Sequence, residues 1–104
     1  MTGARNVTDT DDAFLTARVR IPQAVVYRSF AHETVVLNLD TGLYHGVNST
    51  GGRMLDALAA VGSVRECAEI LAHEYDCPLD EIRGDLCKFC EALVDRGLLV
   101  IESN

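Results

Sequence analysis

The sequence predicts a single α+β domain in which a three-stranded antiparallel sheet is followed by three helices. In the first half of the chain, short segments rich in Val, Tyr and Phe alternate with turn residues, a pattern typical of strands. After about residue 48, apolar residues recur at steps of three and four, the spacing of helices with one buried face. A length of 104 residues fits one domain with a modest core.

Composition and charge narrow the classes of function. The chain carries 9 Lys and Arg against 16 Asp and Glu, a net charge of −7. Nucleic-acid binding depends largely on basic residues that neutralise phosphates, so this balance argues against a nucleic-acid partner. The opening MTGARNVTDTDD lacks the apolar region of a secretory signal, and no apolar run approaches the roughly 20 residues that span a bilayer. We therefore expect a cytoplasmic protein with no membrane partner.

Residues 1–16 are expected to form a flexible N-terminal arm, because this segment is rich in Thr, Asp and Gly and has little apolar content. Residues 17–104 then make up the folded domain. Its first part is a short extended piece at 19–21, which Pro22 ends.

Three strands are predicted next, at 24–30, 34–39 and 43–47. In the second strand, apolar residues at alternate positions share one face. The Asp-Thr-Gly turn after it contains Gly42, which supplies the positive φ that closes such a loop. The third strand is short and half polar. Together they form an antiparallel meander.

The helix signals begin at Asn48. Asn48, Ser49 and Thr50 offer N-cap side chains to a first helix, which Gly62 ends. The sequence SVRE at 63–66 is a capping box and opens a second helix.

A third helix is predicted from Pro78 to Arg96, since proline suits a first turn and Gly97 follows as a terminator. Gly84 inside it is either a tolerated defect or a point of close approach by another backbone. The apolar tail at 98–101 is expected to pack back on the body. The apolar stripe of the helix consists of Ile82, Leu86, Phe89, Cys90, Leu93 and Val94.

The cysteines and histidines raise the possibility of a metal or redox site. Cys87-x-x-Cys90 resembles half a zinc site, but the spacings to Cys67 and Cys77 match no familiar zinc module. Because cysteine is among the most buried residue types, we expect reduced core thiols and no cofactor. No nucleophile motif accompanies the histidines, so we expect no enzymatic activity. A small cysteine-based metal or redox protein stays open as an alternative.

Three helices with a small sheet can also form a winged helix-turn-helix, whose third helix enters the DNA groove in other proteins. Here that helix is acidic, and phosphates would repel it. A winged-helix DNA-binding regulator is therefore a weaker alternative. The acids are Asp80, Glu81, Asp85, Glu91 and Asp95, against Arg83, Lys88 and Arg96.

The third strand is the candidate working surface. As an edge strand it would present unpaired N–H and C=O groups, to which another peptide can add as a further strand. If Val47 points into the core, Leu43 and His45 share its face and Tyr44 lies on the opposite one.

Two segments, VVLNLDTGLYHGVNSTG (35–51) and SVRECAEILAHEYDCPLDEIRGDLCKFCEALVDRGLLV (63–100), resemble the PqqD-like family, the precursor-peptide recognition elements of ribosomally made, post-translationally modified peptides (RiPPs). The resemblance implies a peptide-binding winged helix-turn-helix without catalytic activity. It also implies two partners: the leader segment of a precursor peptide, and a leader peptidase or radical enzyme that modifies it. The G-x-Y-x-x-x-N run at 42–48 is slightly more similar to the free-standing type of lasso-peptide pathways.

Carried onto this chain, the resemblance implies that a leader peptide adds beside the third strand and lies against the third helix. His45 and Val47 depart from the family pattern, where a large or aromatic residue and a leucine are commoner, so the identity of the leader is open. The implied peptide-binding residues are Leu43, Tyr44, His45, Gly46, Val47, Ile82, Asp85, Leu86 and Phe89.

Overall fold

The computed structural model describes residues 16–102, so the predicted arm lies almost entirely outside the described residues. The predicted α+β architecture is confirmed: a three-stranded antiparallel sheet precedes three helices. In chain order the elements are β1 (Arg18–Arg20), β2 (Val25–Ser29), β3 (Glu33–Asn38), β4 (Tyr44–Asn48), α1 (Ser49–Val61), α2 (Val64–Tyr75), α3 (Leu79–Asp95) and β5 (Val100–Glu102).

The main sheet has the strand order β2-β3-β4, with β3 in the middle and β4 at an edge. Gly42, with φ of 75°, closes the turn between β3 and β4 as predicted. The buried face of β3 is formed by Thr34 and Val36, which are 2% and 0% exposed. The more regular apolar alternation of Val35 and Leu37 lies on the other, partly exposed face. The helices therefore cover the face that carries a threonine.

A second, two-stranded sheet pairs β1 with β5 and was not predicted. Val19 lies opposite Ile101 in antiparallel register. The predicted tail does pack back on the body, since Leu98 and Leu99 are buried. The pairing itself joins the two ends of the described chain, a contact for which local sequence patterns carry no signal.

Side-chain caps set the helix boundaries close to the predicted ones. Asn48 Oδ1 accepts a hydrogen bond from the Gly51 N–H at 2.8 Å and caps α1. Gly62, with φ of 66°, ends α1. Ser63 Oγ accepts from the Glu66 N–H at 3.3 Å at the start of α2. Within residues 16–102, no helix is long and apolar enough to span a bilayer.

Helix α1 packs unusually close to the sheet at Gly52. A Cβ atom on Gly52 would collide with Oγ1 of Thr34. That Thr34 oxygen is already held by a 2.8 Å hydrogen bond with Ser29 Oγ. Tyr27 on β2 also lies near Asp56 on α1: burial, followed by the nearby Asp56 carboxylate, raises the pKa of the Tyr27 hydroxyl above its ordinary value of 10.0. Gly84 differs, because no described atom lies within 4 Å of a Cβ built there. The structure thus shows no backbone approaching Gly84.

The four cysteines are reduced thiols, and three of them are core residues. Cys67, Cys87 and Cys90 are buried, whereas Cys77 is half-buried near the end of α2. Burial raises the pKa of the Cys67 thiol to about 12. Burial, followed by the proximity of Cys87 and Cys67, raises the pKa of Cys90 to about 12 as well. These thiols are protonated at neutral pH and behave as small apolar side chains.

Two glycine-to-alanine variants test the close approach of α1. G52A should lower the free energy of unfolding by about 1–2 kcal/mol, because overpacking outweighs the helix propensity that alanine adds. G84A should instead raise it by about 0.5–1 kcal/mol, since the same propensity gain meets open space. Urea denaturation of both variants checks this, and equal effects would contradict the packing described.

The burial of the thiols predicts unequal reactivity. In the folded protein at pH 8, Cys77 should react with a disulfide reagent such as DTNB, and Cys67 and Cys90 should react only after denaturation. Thiol titration with and without denaturant checks this. C77S is the control, and it should abolish the fast phase. Rapid reaction of a second thiol in folded C77S would contradict the burial.

The same thiols predict a loss of stability in alkali. Their folded-state pKa of about 12 exceeds the ordinary value of 9.0. Below pH 9 the two thiols therefore contribute fully to the free energy of unfolding. As the pH rises toward 12 this contribution is lost, by at most about 1.4 kcal/mol for each thiol and each pH unit. Urea midpoints measured between pH 8 and pH 10.5 should decline. C90A should show a shallower decline.

Candidate functional site

The outer edge of β4 carries unpaired backbone groups. Asn38 N–H donates to the Leu43 carbonyl at 2.9 Å, which makes these two residues a hydrogen-bonded pair. Such pairs alternate along antiparallel strands, so His45 and Val47 also direct their N–H and C=O groups toward β3. The corresponding groups of Tyr44 and Gly46 point the other way. No strand within residues 16–102 pairs with that edge.

A cleft of about 450 Å³ lies beside this edge, between β4 and α3, with the first turns of α1 at its base. Its wall on α3 is formed by residues at helical spacing, which therefore share one face of the helix. The lining residues are Gly46, Val47, Asn48, Thr50, Gly51, Met54, Asp85, Phe89, Ala92, Leu93 and Arg96.

Gly51 sets the depth of the cleft. A Cβ atom at this position would lie 3.3 Å from Cε1 of Phe89 and 3.3 Å from Cβ of Val47. The absence of a side chain therefore lets the phenylalanine ring and the strand approach the start of α1. The cleft is apolar in its middle, where Phe89 and Met54 contribute.

The two ends of the α3 wall are oppositely charged. Asp85 and Arg96 both line the cleft and are eleven positions apart in sequence. At about 1.5 Å per residue, that spacing is about 16 Å along the helix. A strand of about five residues has the same length. The wall thus matches a short extended segment in size.

The structure brings four of the predicted site residues together in the cleft. Gly46 and Val47 line it from β4, and Asp85 and Phe89 line it from α3. The remaining α3 candidates, Ile82 and Leu86, are not among the lining residues. They are 6% and 0% exposed and belong to the core beneath the helix.

The other three candidates, Leu43, Tyr44 and His45, are not among the residues that line the cleft. His45 pairs with the buried Val36 and shares the helix-facing side of the sheet with Val47, as expected from the strand alternation. Leu43, just before β4, continues that side and is 61% exposed. Tyr44 lies on the opposite face and is 73% exposed.

Several lining residues were not predicted as binding residues, although Leu93 was placed on the apolar stripe of α3. Ala92, Leu93 and Arg96 extend the helical spacing of Asp85 and Phe89, so the helix period could have identified them. Met54 and Gly51 come from α1, and only the close packing of α1 against β4 and α3 makes them part of the cleft. Asn48 and Thr50 were predicted as N-cap residues. Asn48 both caps α1 and lines the cleft.

The alternative sites receive no support from side-chain positions. No three His, Cys, Asp or Glu side chains among residues 16–102 are grouped so that they could hold a metal ion. On α3, the five acidic side chains are all exposed. Arg83, one of its two bases, lies 3.7 Å from Asp80. The exposed surface of α3 is therefore acidic.

Comparison with solved structures identifies two similar folds. TbiB1, solved in complex with the TbiA(beta) leader peptide, superimposes with a TM-score of 0.73 and 29% sequence identity, over 82% of this chain and 99% of that one. A lasso peptide synthetase B1, complexed with the leader peptide, gives a TM-score of 0.71 and 20% identity, over 81% and 99%. No functionally curated protein sequence matches the chain.

The sequence profile described as coenzyme PQQ synthesis protein D (PqqD) matches residues 33–99. This match covers more than half of the chain, including β3, β4 and all three helices. The protein therefore belongs to the PqqD family.

Proposed function

We propose that this protein binds the leader segment of a ribosomally synthesised precursor peptide as a strand added to β4, and delivers it to a leader peptidase or another modifying enzyme. One observation carries the proposal: an open strand edge lies directly beside an apolar cleft that fits an extended segment. The two similar structures, both solved with leader peptides, support it.

The backbone supplies the part of the affinity that is independent of sequence. The outward N–H and C=O groups of Tyr44 and Gly46 would pair with the leader as a continuation of the sheet. Beyond them, the N–H of Asn48 also points outward in the same alternation. Its carbonyl belongs to the start of α1, so the ladder ends there.

Side chains in the cleft supply the selectivity. Alternate residues of an added strand point to the same face, so every second leader residue would enter the cleft. There, apolar leader side chains would pack on Phe89, Val47 and Met54, with the buried Ile82 and Leu86 supporting α3 from below. Because ordering a flexible peptide costs a few kcal/mol, two or three such anchors are needed for micromolar or tighter binding.

The role proposed for the protein is recognition, without catalysis. Chemical change of the precursor would belong to the partner enzyme, which receives the leader already extended and bound. The partner enzyme would identify the RiPP pathway. The first candidate for this partner is a leader peptidase of the lasso type, and the second is a radical enzyme.

The register of β4 predicts which amides a leader peptide protects. On titration with the leader encoded by a short precursor gene beside its own, Tyr44 and Gly46 amide hydrogens should become slow to exchange, because they gain acceptors. His45 and Val47 amides should be protected before binding. NMR hydrogen exchange measures this, and chemical-shift changes should concentrate on residues 44–48 and 85–96.

A matched pair of truncations locates the binding face. F89A should weaken leader binding about tenfold or more, since Phe89 is a central apolar contact of the cleft. F30A is the control, because Phe30 is 59% exposed and follows β2, at the far side of the sheet. Calorimetric titration compares the two. Equal losses, or shifts centred on β2, would contradict the placement.

A further inference from the structure

A carboxylate lies across the outer face of the edge strand. Gly46 has no side chain, and Oε1 of Glu33, on the neighbouring strand β3, lies 3.2 Å from the position that a Cβ of Gly46 would occupy. Glu33 does not pair directly with Gly46, whose partner in register is Val35. The Glu33 side chain therefore extends diagonally over the glycine, toward the open edge of the sheet.

The surroundings leave this carboxylate available for a cation. Glu33 is exposed, and none of the ion pairs formed within residues 16–102 includes it. Tyr44 precedes Gly46 by two positions on the same strand, so its 73% exposed ring lies on the same face. An acid and an aromatic ring thus flank the one position of β4 that has no side chain.

We infer that the bound leader carries a lysine or arginine opposite Gly46, and that Glu33 is the residue that selects it. This inference rests on the proposed strand addition. An added strand lies about 4.8 Å from β4, and its residue opposite Gly46 directs its side chain to the same face. A long basic side chain can cross the glycine to the carboxylate and cover the Tyr44 ring as it does so.

The charges near Gly46 also favour a basic leader residue over an acidic one, and its geometry disfavours a short apolar one. An acidic side chain at this position would face Glu33 directly and would meet a protein with a net charge of −7. A short apolar side chain opposite Gly46 would not reach across the glycine to Glu33. The position faces away from the cleft, so its preference is independent of the apolar anchors and acts in addition to them.

Peptide selection tests the inference without requiring the sequence of the natural leader. A phage-displayed library of random peptides is selected on the wild-type protein, on E33K and on E69K. Glu69 is an exposed residue of α2, so E69K makes the same change in net charge away from the sheet. Wild type and E69K should enrich Lys or Arg at a position that alternates with the apolar anchors. E33K should enrich Asp or Glu at that position.

Affinity measurements complete the test with a milder variant. A synthetic peptide from the wild-type selection should bind E33Q about two- to fivefold more weakly at low salt, the range of an exposed charge pair. The difference should shrink at about 0.5 M salt, because screening weakens such pairs. Thermal unfolding of each variant verifies that the fold is retained.

The outcomes separate this inference from the function on which it rests. Selected peptides that protect the Tyr44 and Gly46 amides but show the same residue preferences on wild type and E33K would overturn the role of Glu33 and leave strand addition intact. Selected peptides that protect neither amide, or a selection that yields no binders, would overturn strand addition and the inference with it.

Discussion

The close packing of α1 against the main sheet is the contact on which the rest of the structure depends. Gly52 brings the helix against Thr34, and Gly51, one position earlier, admits the Phe89 ring and Val47. Each glycine lowers helix propensity by up to about 1 kcal/mol relative to alanine. Two in succession in a first turn are tolerated because they let a strand, a helix and an aromatic ring meet at one point. The depth of the cleft follows from this contact.

The sequence predicted most of the elements because their signals are local. Asn48, Gly62 and the capping box at Ser63 mark helix ends by side-chain and backbone preferences that act within a few residues. What could not be predicted depends on distant contacts. The β1–β5 pairing is one example. Another is the choice among apolar residues of α3: a helical stripe identifies Leu86 and Phe89 equally, and only packing decides that one is buried and the other lines the cleft.

Polar groups are treated differently in the core of the domain and at the outer edge of β4. In the core, polar atoms are few and satisfied: Cys67 directs its thiol to the Met54 carbonyl at 4.0 Å, and Thr34 shares a hydrogen bond with Ser29. On the outer edge of β4, the backbone donors and acceptors of Tyr44 and Gly46 pair with no other strand among residues 16–102. A bidentate ion pair of Arg53 with Glu74, at 2.7–3.0 Å, joins α1 to α2 on the side of α1 that faces its helical neighbour. This ion pair adds to the packing between the helices, and β4 is the edge strand of the main sheet that borders the cleft.

The pairing of β1 with β5 has a consequence for how the domain can be built into larger proteins. Arg18 lies opposite Glu102, so the first and last strands of the described chain meet at neighbouring positions. That point is beside Gly62, at the end of α1, whereas the cleft lies at the beginning of the same 13-residue helix, about 18 Å away. A host protein can therefore carry residues 18–102 as an insertion in one surface loop, with both attachment points away from the cleft.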